Sequence, residues 1–170
     1  ETRDVVHVNN LRHRAVHMLL FNSQGVLFLQ KGSMWKDRNP GLWDSSAAGH
    51  VDSGENYIQA AHRELQEELG IAPPELVSFG RLTPSPTTGW EFIELYRGSH
   101  EGPFQPAPME IETGAFFEIE HIVTWAKNTP TDFSPVFLKC LECLQSPTPI
   151  VSTSGRSRYQ SEDKSTQRVR

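Results

Sequence analysis

The chain has 170 residues, enough for one domain with its own hydrophobic core. Its formal charge of -5 argues against a nucleic-acid-binding protein, which normally carries a basic face. No apolar run reaches the length of a membrane span. We therefore expect no membrane partner and predict a cytoplasmic location. Because the chain begins at Glu1 and not at a Met, the question of an upstream targeting segment is left open.

Apolar periodicity and turn signals predict strands that alternate with helices. The predicted strands, in chain order, are Arg14–Phe21, Val26–Lys31, Ser45–Val51, Leu76–Leu82, Trp90–Arg97 and Gly114–Ile119. The predicted helices are Asn56–Leu69, Glu120–Lys127 and Phe133–Leu144. For the first helix, we expect Asp52-Ser-Gly54 to form the cap and Gly70 to end it. This order predicts the α/β class, with an α/β/α sandwich around a mixed β-sheet.

The composition changes near the end of the chain. From residue 146 to residue 170, Ser, Thr, Arg and Gln dominate and large apolar residues become rare, so we predict a disordered tail after a domain at 1–145. Cys140 and Cys143 form a C-x-x-C pair, but Cys140 lies on the apolar stripe of the last predicted helix. Without a second pair or a nearby His, structural thiols are favoured over a zinc site.

The first predicted helix concentrates negative charge. Glu64, Glu67 and Glu68 stand at i, i+3 and i+4, so their carboxylates share one face. A separate apolar stripe for the core consists of Ile58, Ala61, Leu65 and Leu69. Three like charges on one turn repel each other, which indicates a functional reason for collecting them. Carboxylate oxygens are the ligands that Mg²⁺ prefers, and Mn²⁺ is the alternative ion.

The segment from Gly49 to Ile71 resembles the Nudix box, G-x5-E-x7-R-E-U-x-E-E-x-G-U, where U is a bulky aliphatic residue. All of the specified positions are filled, by Gly49, Glu55, Arg63, Glu64, Leu65, Glu67, Glu68, Gly70 and Ile71. The resemblance implies the Nudix sandwich fold and a Mg²⁺-dependent hydrolase that cleaves a diphosphate linkage in a nucleoside diphosphate derivative or related small metabolite. It implies Glu64, Glu67 and Glu68 as metal ligands, with the carbonyl of Gly49 as a fourth.

Two further box residues have predicted supporting roles. Arg63 precedes Glu67 by four residues, so its guanidinium is expected to hold that carboxylate. Glu55 either caps the helix or orients the residues that contact the metal ion. The general base stays open: Glu64 is the candidate within the box, and the candidates outside it are Glu91, Glu110 and Glu112.

Residues outside the box resemble the Nudix branch related to isopentenyl-diphosphate isomerase. The segments that carry this likeness are His13-Arg14-Ala-Val-His17, Gln30-Lys31-Gly-Ser33, Pro40-Gly41-Leu-Trp43-Asp44, Ala47-Ala48-Gly49-His50, Thr88-Gly89-Trp90-Glu91-Phe92 and Gly102-Pro103-Phe104. In that branch, basic residues bind the diphosphate. By position Lys36 matches one of them, while Gly32 stands where an Arg is expected and Lys31 is the adjacent substitute.

The isomerase acid/base pair is only half present in this chain. Glu91 matches the isomerase glutamate, but Ser45-Ser46-Ala47-Ala48 contains no cysteine before Gly49-His50. His50 is either a site residue or a structural one. We therefore predict a hydrolase acting on a small diphosphate, with catalytic candidates Arg63, Glu64, Glu67 and Glu91. An isomerase and a non-catalytic nucleotide-binding Nudix module stay open, and the oligomeric state is not predicted.

Overall fold

The computed structural model describes residues 12–146. Its strands are β1 His13–Phe21, β2 Leu27–Gly32, β3 Trp43–Asp44, β4 Ala47–His50, β5 Val77–Leu82, β6 Glu91–Ser99 and β7 Ile111–Phe117. Its helices are α1 Tyr57–Leu69, α2 Ile119–Asn128 and α3 Pro135–Gln145, with a 3-10 turn at Pro130–Asp132. Each predicted strand and helix is present with small shifts at its ends, and β3 is an additional short strand. The tail predicted at 146–170 lies outside the described residues, except for Ser146.

The seven strands form one mixed sheet. β1 is parallel to β6 along its whole length, and β4 is antiparallel to β1 on its other edge. β1 and β2 pair only beside their turn, at Leu20↔Phe28 and Phe21↔Leu27. Beyond these two pairs the strands separate, and β1 runs beside β4 while β2 runs beside β3. The other edge of β2 pairs with β7 along its length, from Leu27↔Phe117 to Gly32↔Ile111.

Helices cover both faces of this sheet. Side chains of β1 alternate between two buried clusters: Met18 belongs to the cluster with Leu65 of α1, and Leu19 to the cluster with Phe137 of α3. Cys140 is buried in the second cluster as a free thiol, as predicted. This arrangement confirms the α/β class and the sandwich. Within residues 12–146, none of the helices is long and apolar enough to cross a membrane.

The start of α1 differs from the prediction. Asn56 is the N-cap: its side chain accepts a hydrogen bond from the Gln59 amide at 2.9 Å, and its own amide donates to Gln59 Oε1 at 3.0 Å. This reciprocal pair satisfies two free amides of the first turn, so the expected cap at Asp52-Ser-Gly54 was wrong. The predicted end is confirmed, because Gly70 adopts the left-handed conformation with φ 64°.

Candidate functional site

Helix α1 and strand β4 bring the box residues around one cavity of about 290 Å³, called here the acidic cavity. Its wall includes Glu64, Glu67 and Glu68 of α1, Gly49 of β4, and Lys36 from the loop between β2 and β3. Carboxylates that stand at i, i+3 and i+4 on α1 thus face a common space, as the helical spacing predicts. The residues predicted to hold a metal ion are therefore neighbours, and their role as ligands stays a prediction.

Arg63 joins the box residues to one another. Its Nε and Nη2 donate to the two carboxylate oxygens of Glu55 at 2.8 and 2.9 Å, and Nη2 also donates to the His50 carbonyl at 2.8 Å. Its Nη1 donates to Glu64 Oε1 at 2.7 Å and to Glu67 Oε2 at 3.2 Å. The contact with Glu67 is as predicted, but the bidentate pair is with Glu55.

The Arg63–Glu55 pair shifts the titration of both groups. Hydrogen bonding to Glu55 raises the pKa of Arg63 above its already high usual value, and the same bond lowers the pKa of Glu55. Because Asn56 caps the helix, Glu55 is left to orient Arg63. Of the two roles expected for Glu55, the structure favours support of the site over capping.

Gly49 lets Glu64 lie directly against strand β4. A Cβ atom built on Gly49 would be 1.9 Å from Glu64 Cδ and 2.1 Å from its Oε1. No side chain larger than hydrogen fits there unless Glu64 moves. The carboxylate of Glu64 is therefore held between the β4 backbone and Arg63, at the edge of the acidic cavity.

Glu68 is the most buried of the three carboxylates predicted to bind the metal ion, with 6% of its surface exposed. Its Oε2 accepts hydrogen bonds from Gln30 Nε2 at 3.0 Å and from the Ala48 amide at 3.2 Å. Burial raises the pKa of Glu68 to about 7. A buried, oriented carboxylate beside two others is an oxygen donor set that suits a hard divalent cation, which would also offset the cost of ionising Glu68.

A second polar cluster lies where β4, β1 and β6 run side by side. His13 is opposite Glu91 in the parallel β1–β6 pairing, and His50 is opposite Ala15 in the β1–β4 pairing. His13 Nε2 lies 3.1 Å from Glu91 Oε1 and 3.2 Å from His50 Nε2. Arg38 Nη1 donates to Glu91 Oε1 at 3.0 Å. One ligand atom from each of His13, His50 and Glu91 lies within 4.8 Å of the others, which makes a candidate metal-binding group.

These neighbours control the charge of Glu91. Burial by itself would raise the pKa of Glu91, but hydrogen bonds with His13 and His50, and the charges of His17 and Arg38, lower it well below the usual range. Glu91 is therefore a carboxylate that stays ionised. Imidazole and carboxylate together suit a transition-metal ion more than Mg²⁺.

A tight turn directly before β6 positions Glu91 in this cluster. Gly89 and Trp90 both have left-handed backbones, with φ 64° and 65°, which costs free energy for a bulky residue such as Trp. Buried Thr88 stabilises the turn through its Oγ1, which accepts from the Ser85 amide at 2.8 Å. Gly89 also has no room for a side chain, because its Cβ would be 2.1 Å from Arg38 Nη2.

The second cluster borders another space, a cavity of about 100 Å³ called here the inner cavity. Its wall includes His17, Gln30, Asp44, Glu91 and Val136. The inner and acidic cavities have four lining residues in common, Lys36, Ala48, Gly49 and His50. The two spaces are therefore adjacent, and Lys36 borders both.

The two lysines predicted to bind the diphosphate, Lys36 and Lys31, lie in different parts of the structure. Lys36 borders both cavities, with Nζ 3.4 Å from Glu110 Oε2. Lys31 lines neither cavity, and its Nζ lies 3.6 Å from Glu112 Oε1. Arg38, to which sequence reasoning gave no role, lines the inner cavity instead.

His13 and Gln30 were likewise assigned no role from the sequence. Gln30 belongs to a segment that resembles the isomerase branch and stands next to a predicted basic residue, but neither observation gave it a role of its own. His13 meets Glu91 through a pairing between strands 78 residues apart. A local pattern in the sequence does not report such a pairing.

Comparison with known proteins agrees with this geometry. The NUDIX domain family model matches residues 11–137. The chain belongs to the Nudix family. This result confirms the resemblance inferred from the box between Gly49 and Ile71.

Two of the similar curated relatives carry different names. The chain is 33% identical over 149 residues to an isopentenyl-diphosphate Delta-isomerase of Serratia proteamaculans, covering 85% of this chain and 83% of that protein. It is 32% identical to a Nudix hydrolase of Yersinia pestis named as uncharacterized, covering 82% and 75%. The likeness to the isomerase branch, expected from the flanking segments, is thereby confirmed at the level of sequence similarity.

Solved structures show the same Nudix fold. A Deinococcus radiodurans protein is similar with a TM-score of 0.67 and 28% identity, covering 78% of this chain and 83% of that one. The Nudix domain of Shewanella oneidensis NrtR, solved with ADP ribose, has a TM-score of 0.63 and 16% identity, covering 85% and 97%. The second likeness is evidence for the fold alone.

Proposed function

We propose that this Nudix protein is a Mg²⁺-dependent hydrolase, with Mn²⁺ as an alternative ion, that cleaves a diphosphate linkage in a nucleoside diphosphate derivative or related small metabolite. The observation that carries the proposal is the gathering of Glu64, Glu67, Glu68 and Gly49 around one cavity that Lys36 also borders. Carboxylates supply the oxygen ligands for a divalent ion, and the lysine supplies a positive charge for phosphate oxygens.

Each residue then has a definite task. The three box carboxylates and the Gly49 carbonyl hold the ion, which when bound neutralises phosphate charge and lowers the pKa of a coordinated water. Arg63 fixes the orientation of Glu64 and Glu67. Lys36 binds the diphosphate, and Glu64 accepts the proton of the attacking water.

Glu64 is favoured over Glu91 as the general base. Glu91 Oε1 already interacts with His13, His50 and Arg38, and its lowered pKa makes it a weak proton acceptor near neutral pH. Glu64 Oε1 accepts from Arg63 Nη1 at 2.7 Å, and the carboxylate borders the acidic cavity. Its position beside the other proposed ligands and Lys36 therefore favours Glu64 as the base.

An isomerase acting on isopentenyl diphosphate is the second candidate function. The favouring observation is the cluster of Glu91 with His13 and His50 beside the inner cavity, in a chain related to named isomerases. Against it, Ala48 and its neighbours offer no thiol before Gly49-His50. Half of the expected acid/base pair is therefore missing.

A substrate panel with product analysis separates these functions. Purified protein is incubated with ADP-ribose, nucleoside di- and triphosphates and isopentenyl diphosphate, with Mg²⁺, with Mn²⁺ and with a chelator. We expect metal-dependent release of phosphate or a nucleoside monophosphate. Formation of dimethylallyl diphosphate without hydrolysis would instead establish the isomerase. Tight binding of a panel compound without any turnover would establish a non-catalytic module.

Gly49→Ala is expected to lower the rate of hydrolysis by about 100-fold while the protein stays folded. The added methyl group forces the Glu64 carboxylate to move, and displacements on the order of 1 Å at a reacting group cost about this factor. The measurement is kcat/KM for the best panel substrate, with thermal unfolding as the check of folding.

The matched control for this prediction is Gly25→Ala. Gly25 lies in the turn between β1 and β2, and a Cβ built there contacts nothing within 4 Å. Since Gly25 has φ 76°, this control carries backbone strain without touching the cavity. Equal activity losses in the two variants would contradict the proposed role of Gly49.

A further inference from the structure

We propose that Arg38 binds phosphate oxygens of the substrate, and that these oxygens compete with Glu91 for its guanidinium. The inference rests on the proposed function, because it concerns the anionic part of the same substrate. It gives the diphosphate a second cation beside Lys36 and makes the ion pair between Arg38 and Glu91 an exchangeable contact.

Arg38 and Lys36 are neighbours on the wall of the inner cavity. Both belong to the loop between β2 and β3, and both line this cavity. Lys36 also borders the acidic cavity, where the carboxylates proposed to hold the metal ion lie. Two adjacent cations beside a divalent ion suit the oxygens of two linked phosphates. A diphosphate that starts at the acidic cavity and contacts Lys36 therefore has Arg38 within its surroundings.

Arg38 is both accessible and oriented. A ligand can reach the side chain, because 40% of it is exposed. Its Nη1 donates to Glu91 Oε1 at 3.0 Å, and a Cβ atom built on Gly89 would lie 2.1 Å from its Nη2. The guanidinium therefore rests against the backbone of the turn before β6, where a side chain at position 89 would displace it. A planar group held in this way loses less entropy when it binds a phosphate.

The loop that carries Arg38 closes over Gly32. The Gly32 amide donates to the Leu42 carbonyl at 2.9 Å. A Cβ atom built on Gly32 would lie 3.2 Å from the Asn39 carbonyl oxygen and 3.3 Å from Lys36 Cδ. A basic side chain at position 32 would therefore crowd Lys36 and the loop backbone. The loop itself carries the second cation instead.

Lys31 does not take the place of Arg38. Successive side chains of a strand point to opposite faces of the sheet, and Gln30, the residue before Lys31, lines the inner cavity. Lys31 lines neither cavity, and its Nζ lies 3.6 Å from Glu112 Oε1. Arg38 is therefore the better placed of the two side chains for a phosphate beside Lys36.

Glu91 can release Arg38 to a phosphate at low cost. Its Oε1 also lies 3.1 Å from His13 Nε2 and 3.4 Å from His50 Nε2. These imidazoles stay beside Glu91 when Arg38 turns to a ligand, so the carboxylate is not left buried without a partner. Arginine binds phosphate through the same charge-assisted, bidentate bonds that it makes with a carboxylate. The exchange therefore replaces one strong contact by another.

The test is the Kd of a non-hydrolysable anion, methylenediphosphonate, measured by calorimetric titration at a fixed excess of Mg²⁺. Arg38→Gln is expected to weaken binding at least about tenfold, the effect of losing one charge-assisted hydrogen bond. Arg38→Lys keeps the charge but not the planar fork, so we expect a smaller loss. Glu91→Gln should bind the probe as tightly as the wild type or more tightly, because the competing charge is gone.

The matched control is Arg97→Gln, which removes the same charge from an exposed arginine six residues after Glu91 on β6. Arg97 lines neither the inner nor the acidic cavity. We expect the Kd of this variant to equal that of the wild type. Thermal unfolding checks that each variant is folded.

The Glu91→Gln variant separates phosphate binding from support of Glu91. If it weakens the probe as much as Arg38→Gln does, Arg38 acts only by holding Glu91 and the inference is overturned. An unchanged Kd in Arg38→Gln, a loss in Lys31→Gln instead, or no binding of the probe by the wild-type protein overturns it too. Turnover of the substrate panel tests the hydrolase separately. Probe binding that depends on Arg38 without any turnover would refute the hydrolase alone, and turnover with binding independent of Arg38 would refute this inference alone.

Discussion

Replacing Glu64 with glutamine is expected to lower kcat/KM for the best diphosphate substrate by about 1,000-fold, the middle of the range for loss of a general base. The amide keeps the volume of the side chain against Gly49, but it neither carries a negative charge nor accepts the proton of the attacking water. Arg63 Nη1 can still donate to the remaining carbonyl oxygen, which limits structural change. The expected loss is therefore chemical.

The control for this substitution is Glu142→Gln on α3. Glu142 is exposed, and its carboxylate pairs with Lys139 of the same helix at 3.0 Å. We expect unchanged hydrolysis and a thermal unfolding midpoint close to that of the wild type. If Glu64→Gln retained full activity on a confirmed substrate, the proposed mechanism would be wrong.

Glu68 is expected to make the stability of the metal-free protein depend on pH. The pKa of Glu68 is about 7 in the folded protein against an ordinary value of 4.5, so the folded state holds this proton more tightly than the unfolded state. At pH values below the unfolded-state pKa, Glu68 is protonated in both states, so burying it carries no ionisation penalty. As pH rises from 4.5 to about 7 the free energy of unfolding falls, by about 3 kcal/mol in total at 1.36 kcal/mol for each pKa unit.

Urea unfolding near pH 5 and near pH 8 measures this effect, with Glu68→Gln for comparison. We expect the variant to lack the decrease seen in the wild type, since it has no carboxyl group to ionise. Glu55 and Glu91 have lowered pKa values and lose their stabilising effect only as pH falls through the acid range, outside this window. Parallel curves for wild type and variant would contradict the prediction.

Mg²⁺ should oppose this loss of stability. An ion that binds the ionised carboxylates of the folded state stabilises it by linkage, and the gain increases with pH. We therefore expect added Mg²⁺ to raise the free energy of unfolding more at the higher pH. The same addition to Glu68→Gln should have a smaller effect, which connects the stability measurement to the proposed metal site.

Local patterns were sufficient for the box helix. The spacing of Glu64, Glu67 and Glu68 on α1 is set by helical geometry, so it could be derived from the sequence before any contact was known. Gly70 as the end of the helix follows from the same local rules. The cap was missed because Asp52-Ser53 and Asn56 both carry capping side chains, and the choice between them depends on where Gln59 completes the reciprocal pair.

Arg63 shows how tertiary contacts refine a sequence-based role. Its distance from Glu67 in the chain gave one correct contact. The bidentate bond to Glu55 and the bond to the His50 carbonyl depend on how the loop before α1 folds back toward β4. No periodic pattern in the sequence predicts the path of this loop.

By itself the sequence determined the family, the α/β class and the helix face that carries the box carboxylates, because these depend on residue types at short separations. Only the tertiary structure decided that His13 lies against Glu91, that Arg38 contacts Glu91 while Lys31 lies near Glu112, and that Gln30 donates to Glu68. Those contacts join strands and loops that are distant in the chain. Their register is set by packing of the whole sheet between its two layers of helices.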